Sequence, residues 1–148
     1  MSNSEAELTG FLAKYTPEIA ARGGAIIARL RRDLPGANVL VYDNYNALAV
    51  GFAANEKVSG VILSVALYPR WVSLFMSASL DDPTGILKGS GGTVQHVVLD
   101  DVSALDRPDI AALVAQAVAR AQPPLDPGGQ GKLVIKSISA KQRPRRPG

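Results

Sequence analysis

Hydrophobic and polar residues alternate with a period of two over residues 71–78, the pattern of a strand that packs on one face. Residues 80–85 (LDDPTG) follow, and Pro83 together with two aspartates favours a turn there. The glycine-rich segment 88–92 (KGSGG) then precedes a second strand pattern at residues 93–99. The whole block is therefore predicted to form a strand, a structured loop and another strand.

Apolar residues recur at helical spacing in three segments, which are residues 5–14, 17–34 and 109–121. Thr16 is placed to cap the second helix, and Pro17 suits its first turn. Gly23 and Gly24 lie in the middle of that helix, where each glycine costs up to about 1 kcal/mol relative to alanine. The helix must either kink there or pack very closely on its neighbour, and we favour close packing.

Three more strand patterns lie between the second helix and residue 71, at residues 38–42, 47–53 and 58–67. The turns between them are short and polar, so the strands are predicted to pair antiparallel. Residues 132–138 (KLVIKSI) indicate a weaker strand at an edge of the sheet. The expected fold is α+β, an antiparallel sheet of about five strands with two N-terminal helices and one C-terminal helix packed on one face.

Three regions of the chain follow from these elements. Residues 1–122 are predicted to form the α+β domain, residues 123–138 a linker with a candidate edge strand, and residues 139–148 a disordered basic tail.

The sheet face that lacks helices is the first candidate for function. It carries Trp71 and Phe75 if the helices pack on the side of Val72, and exposed aromatic residues mark a ligand groove or a subunit interface. The alternative is that the helices cover the aromatic side and the C-terminal segment covers the side of Val72. Strand register decides between the two, and the sequence does not give it.

Composition limits the class of protein. The chain has 148 residues, 47% of them hydrophobic and 20% charged, which suffices for one globular core. No apolar run approaches the ~20 residues of a membrane span, and no basic-then-apolar leader opens the chain, so we expect a soluble cytoplasmic protein. The absence of cysteine excludes disulfides, thiol nucleophiles and cysteine-ligated metal centres.

The net charge of +3 is concentrated at one end. Residues 132–148 hold six basic side chains and no acidic one, while the remaining ten basic and thirteen acidic residues give −3. Proteins that bind duplex nucleic acid spread basic residues over a folded face, because their affinity comes from neutralising several phosphates. Nucleic-acid binding is therefore expected only through the tail.

Catalytic chemistry has little support. His96, the single histidine, is expected to be partly buried between Val94 and Val98 rather than to act as a ligand or base. The residue types of a Ser-His-Asp catalytic triad are present in Ser90, His96 and Asp100 or Asp101. However, no nucleophile-elbow motif presents the serine. The glycine loop lacks the spacing of a phosphate-binding loop and precedes a strand, so it offers an anion only backbone amides.

Two acidic pairs, Asp81-Asp82 and Asp100-Asp101, are the candidate metal ligands. Each pair flanks a turn, where aspartate commonly caps backbone amides, and we favour that role.

One family resemblance covers roughly residues 8–121. Phe11, Tyr15 and Pro17 form an F-x₃-Y-x-P motif, and the strand ending at Tyr42, the block at residues 71–92 and the V-x-H-V strand complete the match. In these features the chain resembles the YdhG-like domain family of small bacterial proteins. The resemblance implies an α+β fold similar in outline to frataxin, in a family largely without assigned function, although one branch is described as a frataxin-like iron chaperone. Frataxin-type chaperones use an acidic helix, whereas the long second helix here is basic.

The resulting hypothesis is a non-enzymatic binding module for a small molecule or a protein partner, with a homodimer through the open sheet face as one form of the latter. The alternatives are a frataxin-like iron chaperone that uses the acidic pairs and a weak nucleic-acid binder that uses the tail. The candidate ligand-binding residues are Tyr42, Trp71, Phe75, Gly91, Gly92 and His96.

Overall fold

A computed structural model describes residues 3–89 and 91–148 of the protein. Its helices are α1 (Asn3–Leu12), α2 (Pro17–Asp33) and α3 (Pro108–Ala119), with short 3₁₀ helices at Val58–Gly60 and Val102–Asp106. Its strands are β1 (Asn38–Asp43), β2 (Leu48–Ala53), β3 (Val61–Leu67), β4 (Val72–Ser77), β5 (Val94–Val98) and β6 (Leu133–Ile138).

All six strands form one sheet in the order β5-β4-β3-β2-β1-β6. The first five pair antiparallel, as predicted, and β6 pairs parallel with β1. The predicted α+β class is confirmed, and the candidate edge strand at the C-terminal end is the sixth strand of this sheet. Gly131 lies so close to the backbone of Ala37 that a Cβ there would stand 1.7 Å from the carbonyl oxygen, which leaves room only for glycine where β6 begins.

The hydrophobic core lies between the helices and one face of the sheet. Val41, Val50, Val65 and Leu74 occupy one row across β1 to β4, and all four are completely buried. The helices bury their apolar stripes against this face, including Ile26 of α2 and Ile110 of α3. The helices therefore pack on the side of Val72, and the side of Phe75 is the open one.

Helix α2 packs closely on the sheet at its glycines. A Cβ on Gly23 would stand 2.4 Å from Cδ2 of Leu67, so glycine, which has no side chain, is the residue that fits at this close approach. A Cβ on Gly24 would meet only Leu12, at an ordinary 3.8 Å. Thr16 caps the helix as predicted, because its hydroxyl accepts a hydrogen bond from the amide of Ile19 at 3.4 Å.

Tyr15, just before α2, fixes the helical layer to the sheet. Its hydroxyl donates to the carbonyl oxygen of Leu67 at 2.7 Å and accepts from the amide of Leu48 at 3.1 Å. The side chain is 1% exposed, and burial raises the pKa of its phenol above the ordinary value. One buried hydroxyl thus serves two backbone groups at the ends of paired strands.

Several residues of the C-terminal segment, which the sequence predicts to be a disordered basic tail, contact the fold in the structure. Ser139 donates its amide to the carbonyl of Asp43, and Arg143 donates its amide to the carbonyl of Tyr45, both at 2.9 Å. The Arg145 side chain is buried and pairs with the carboxylate of Asp43. Because a buried carboxylate requires a charged partner, this pairing holds residues 139–148 against the fold.

None of the helices in the described part of the chain is long and apolar enough to cross a membrane.

Candidate ligand groove on the open sheet face

The open face of the sheet has a floor of small residues between two aromatic walls. Tyr42 on β1 pairs with Ala49 on β2, and in the neighbouring row Gly51 of β2 pairs with Ser64 of β3, which pairs with Phe75 of β4. Because short side chains occupy the centre and rings stand at the sides, a groove of about 420 Å³ opens along the face. A further depression of about 470 Å³ continues it past Ala49, Ser64 and Phe75.

The loop before β3 closes one end of the groove. Val58 and Val61 line it there, and the methyl groups of Val61 lie over Gly51, where a Cβ would stand 3.1 Å from Cγ2. Thr93 and Val94 line it beside Phe75. Glycine at position 51 therefore lets the loop fold over the sheet while the floor remains low.

The groove contains few polar groups. The hydroxyl oxygen of Tyr42 is buried and has no hydrogen-bond partner among the described residues, while Asn44, Ser64, Ser77 and Thr93 contribute an amide and three hydroxyls to the lining. Burying a hydroxyl without a hydrogen-bond partner costs free energy, and a hydrogen bond to a ligand would recover that cost. Tyr42 therefore offers a ready partner to a ligand group that reaches it.

His96 lies on the open face beside the groove. It pairs with Phe75 across β4 and β5, and the two rings are tilted by 39° with centroids 5.2 Å apart. Its backbone exchanges hydrogen bonds with Lys88 at 2.8 and 2.9 Å, and its side chain is half-buried, as expected from its place in the strand. The histidine supports the Phe75 wall, and it does not line the groove itself.

Trp71 does not join Tyr42 and Phe75. It stands at the turn between β3 and β4, stacked on Tyr68 with ring centroids 4.9 Å apart. It lines a separate cavity that the C-terminal segment closes on the other side. The alternation in the strand placed Trp71 on the correct side of the sheet, but β4 begins only at Val72 and the turn directs the indole away from the groove.

Gly91 and Gly92 of the glycine loop are the next candidate ligand-binding residues. Gly91 and Gly92 are exposed and line neither the groove nor its continuation, so their predicted role in ligand binding has no support from their position. Among the described glycines, positive φ occurs at Gly85 and Gly89, and not at Gly91 or Gly92. Ser90, the candidate nucleophile, lies outside the described residues.

The aspartate pairs occupy turns. The carboxylate of Asp82 accepts hydrogen bonds from the amides of Ile86 and Leu87 at 3.1 and 2.9 Å. Asp101 accepts from the side chain and amide of Ser103, and these hydrogen bonds hold the pKa of its carboxyl below the ordinary value. Both contacts are the capping roles that the sequence favoured.

The other aspartate of each acidic pair lies in different surroundings. Asp81 lies 3.6 Å from the guanidinium of Arg120, and Asp100 is exposed. Within residues 3–89 and 91–148, no three His, Asp or Glu side chains come together in a way that would hold a metal ion. The acidic pairs thus supply no observation in favour of iron binding.

Sequence reasoning missed most of the groove lining, although a signal was present. Small residues recur at every second position of residues 47–53 (ALAVGFA) and again at positions 64 and 66. In a strand, alternate positions share a face, so this pattern indicates a low floor on one side of the sheet.

No family model matches the chain, and no curated protein or solved structure shows significant similarity to it. The resemblance to the YdhG-like domain family therefore stays a prediction.

Proposed function

We propose that this protein is a non-enzymatic binding module that takes a small, neutral and largely apolar molecule in the groove on its open sheet face. The observation behind the proposal is the position of all three helices on one face, which leaves an apolar groove on the other. Its volume of about 420 Å³ is in the range of small-molecule sites.

The lining indicates the chemistry of the ligand. Among the described residues that line the groove, none carries a charge, so a charged ligand would lose hydration without gaining a partner. Tyr42 and Phe75 present ring surfaces across a floor of small residues, an arrangement that suits a flat ring or a short aliphatic chain. The Tyr42 hydroxyl then orients any oxygen or nitrogen that the ligand carries.

The same lining supports binding rather than catalysis. The titratable group it contains is the phenol of Tyr42, and nucleophilic catalysis needs a base within hydrogen-bond reach of the attacking group. His96 contacts Phe75 from outside the groove.

Equilibrium binding of a neutral solvatochromic dye such as Nile red tests the proposal, followed by displacement with a panel of neutral aromatic and aliphatic compounds. Ser64→Leu fills the centre of the floor and is expected to abolish dye binding. Thr84→Leu also replaces a hydroxyl residue by leucine, at an exposed position in the turn of residues 80–85 and outside the groove lining, and should leave binding unchanged. Equal dye binding by both variants would show that the groove is not the binding site.

A second copy of the chain is the second candidate occupant of this face. Val58 and Val94 line the groove and are 71% and 48% exposed, and Val98, farther along β5 on the same face, is 43% exposed. An exposed apolar patch of this kind is typical of an interface. Light scattering distinguishes this candidate from the first. A dimer that Val94→Lys converts to a monomer would make the face a subunit interface, whereas a monomer that binds the dye supports the small-molecule site.

A further inference from the structure

A second cavity, of about 580 Å³, lies at the turn between β3 and β4. The turn is tight, because the amide of Tyr68 donates to the carbonyl oxygen of Trp71 at 2.9 Å across Pro69 and Arg70. The rings of Tyr68 and Trp71 stack with planes 19° apart, and the indole remains 41% exposed. One wall of the cavity is therefore an aromatic surface held in place by a hairpin.

The opposite wall comes from the C-terminal segment and is basic. Arg143 and Arg146 line the cavity together with Arg70 from the turn, and no acidic side chain is among the described residues of the lining. The guanidinium groups of Arg70 and Arg143 have no hydrogen-bond or ion-pair partner among residues 3–89 and 91–148. Arg146 donates to the carbonyl oxygens of Lys14 and Ala13, which leaves its charge without a carboxylate.

This basic wall is a fixed part of the fold. Arg143 is held through its amide on Tyr45, and Arg145 is anchored in the interior by its pairing with Asp43. Asp43 also binds Lys14 at 2.7 Å, so this carboxylate already has two cations as partners. The arginines of the cavity therefore keep a surplus of positive charge beside the aromatic wall.

We propose that this cavity binds a nucleotide unit, with the base on the face of Trp71 and the phosphate between Arg70 and Arg143. Arginine recognises phosphate oxygens through paired N–H donors, and bases stack on exposed aromatic rings whatever their sequence. An aromatic surface next to unpaired guanidinium groups matches a ligand in which a planar ring is joined to an anion. The amide of Asn46, which also lines the cavity, is placed to meet a base edge.

Trp71 is the single tryptophan of the chain, so intrinsic fluorescence reports directly on this site. The full chain is titrated with adenosine monophosphate, single-stranded oligothymidylate, adenosine and inorganic phosphate. We expect both nucleotide ligands to quench Trp71, with an affinity that falls as salt is added. Adenosine and phosphate are each expected to bind about tenfold or more weakly, because each makes only one kind of contact.

The two nucleotide ligands identify the source of the unit. Tighter binding of the oligonucleotide at equal nucleotide concentration assigns the site to a single strand, and equal or weaker binding assigns it to a free nucleotide. Inorganic phosphate that binds as tightly as the nucleotides would overturn the proposal, because the aromatic wall would then play no part. Absence of quenching by both nucleotide ligands would overturn it as well.

Matched variants separate the site from general charge attraction. Arg143→Gln and Arg70→Gln are each expected to weaken nucleotide binding about tenfold. Lys141→Gln removes the same charge from the same segment, but Lys141 is outside the cavity lining, and binding should stay within about twofold of the parent chain. An equal loss of nucleotide affinity in Lys141→Gln and Arg143→Gln would contradict a defined site. Unchanged melting temperatures would confirm that all three variants are folded.

Discussion

Arg145 Nη2 donates a hydrogen bond to Asp43 Oδ1 at 2.9 Å, between residues that stand 102 positions apart in the chain. The two side chains are 4% and 1% exposed, so this is a buried ion pair. Lys14 Nζ binds the other carboxylate oxygen at 2.7 Å. One aspartate at the end of β1 therefore connects the residues after α1 with the C-terminal segment. This segment forms the basic wall of the proposed nucleotide cavity.

Removal of Arg145 is expected to destabilise the whole fold. In Arg145→Met the carboxylate of Asp43 stays buried with Lys14 as its one remaining ion-pair partner among the described residues, and loss of one partner from a buried pair costs about 3–5 kcal/mol. Urea denaturation measures the loss in the free energy of unfolding. Arg143→Met is the control, because its side chain is exposed, and an equal effect of the two variants would refute the structural role of the buried pair.

The same carboxylate predicts a dependence of stability on pH. Burial raises the pKa of Asp43, but the hydrogen bonds from Lys14, Gln142 and Arg145 outweigh burial and hold the pKa below the ordinary value. A group with a lowered folded pKa stabilises the protein above its unfolded pKa, and this contribution is lost as the pH falls through the folded value. The stability difference between the parent chain and Asp43→Asn should therefore be constant above about pH 5 and shrink below about pH 4. A difference that stayed constant down to acid denaturation would contradict this.

Local patterns in the sequence were sufficient for the elements. Thr16 and Pro17 mark the start of α2, and period-two alternation places β4 within a residue of its observed bounds. Each of these signals acts over a few neighbouring residues, so a single sequence contains it. The lysines in residues 132–138 predict an edge strand, and β6 does lie at the edge of the sheet, where it buries little.

Long-range contacts determine what the sequence left open. The charge partner of Asp43 lies beyond the linker, and no local pattern distinguishes Arg145 from the exposed arginines around it. The open face likewise depends on which side of β4 the helices cover, a property of the packed structure rather than of the strand. Alternation also does not show where a strand gives way to a turn, so it could not predict that Trp71, just before β4, lines a cavity at the turn rather than the groove.

The hydroxyl of Tyr15 offers a test of the link between the helices and the sheet. Tyr15→Phe leaves the carbonyl of Leu67 and the amide of Leu48 without this partner in a buried site, and we expect a loss of about 1–3 kcal/mol in the free energy of unfolding. Tyr45→Phe removes a hydroxyl from a residue that is 50% exposed and should change stability by less than about 0.5 kcal/mol. Chemical denaturation of the two variants in parallel gives the comparison, and an equal change in both would show that the Tyr15 hydroxyl does not stabilise the fold.

Gly23 and Gly24 are adjacent in α2, yet replacement by alanine is expected to act in opposite directions. At Gly23 the new methyl group would stand 2.4 Å from Cδ2 and 2.8 Å from Cγ of Leu67, a residue with no exposed surface, so either the leucine or the helix must shift within a packed core. Overpacking of this kind costs about 1–3 kcal/mol. At Gly24 the methyl group meets only Leu12, at 3.8 Å, and the higher helix propensity of alanine should stabilise the protein by up to about 1 kcal/mol.

The two glycine variants serve as controls for each other, because they share the helix, the substitution and the gain in helix propensity. The difference between their unfolding free energies therefore isolates the contact with Leu67. Leu67→Ala in the Gly23→Ala background completes the cycle, since a shortened side chain removes the clash and the second substitution should cost less than it does in the parent chain. Stabilisation by Gly23→Ala equal to that by Gly24→Ala would show that α2 does not approach the sheet as closely as these distances require.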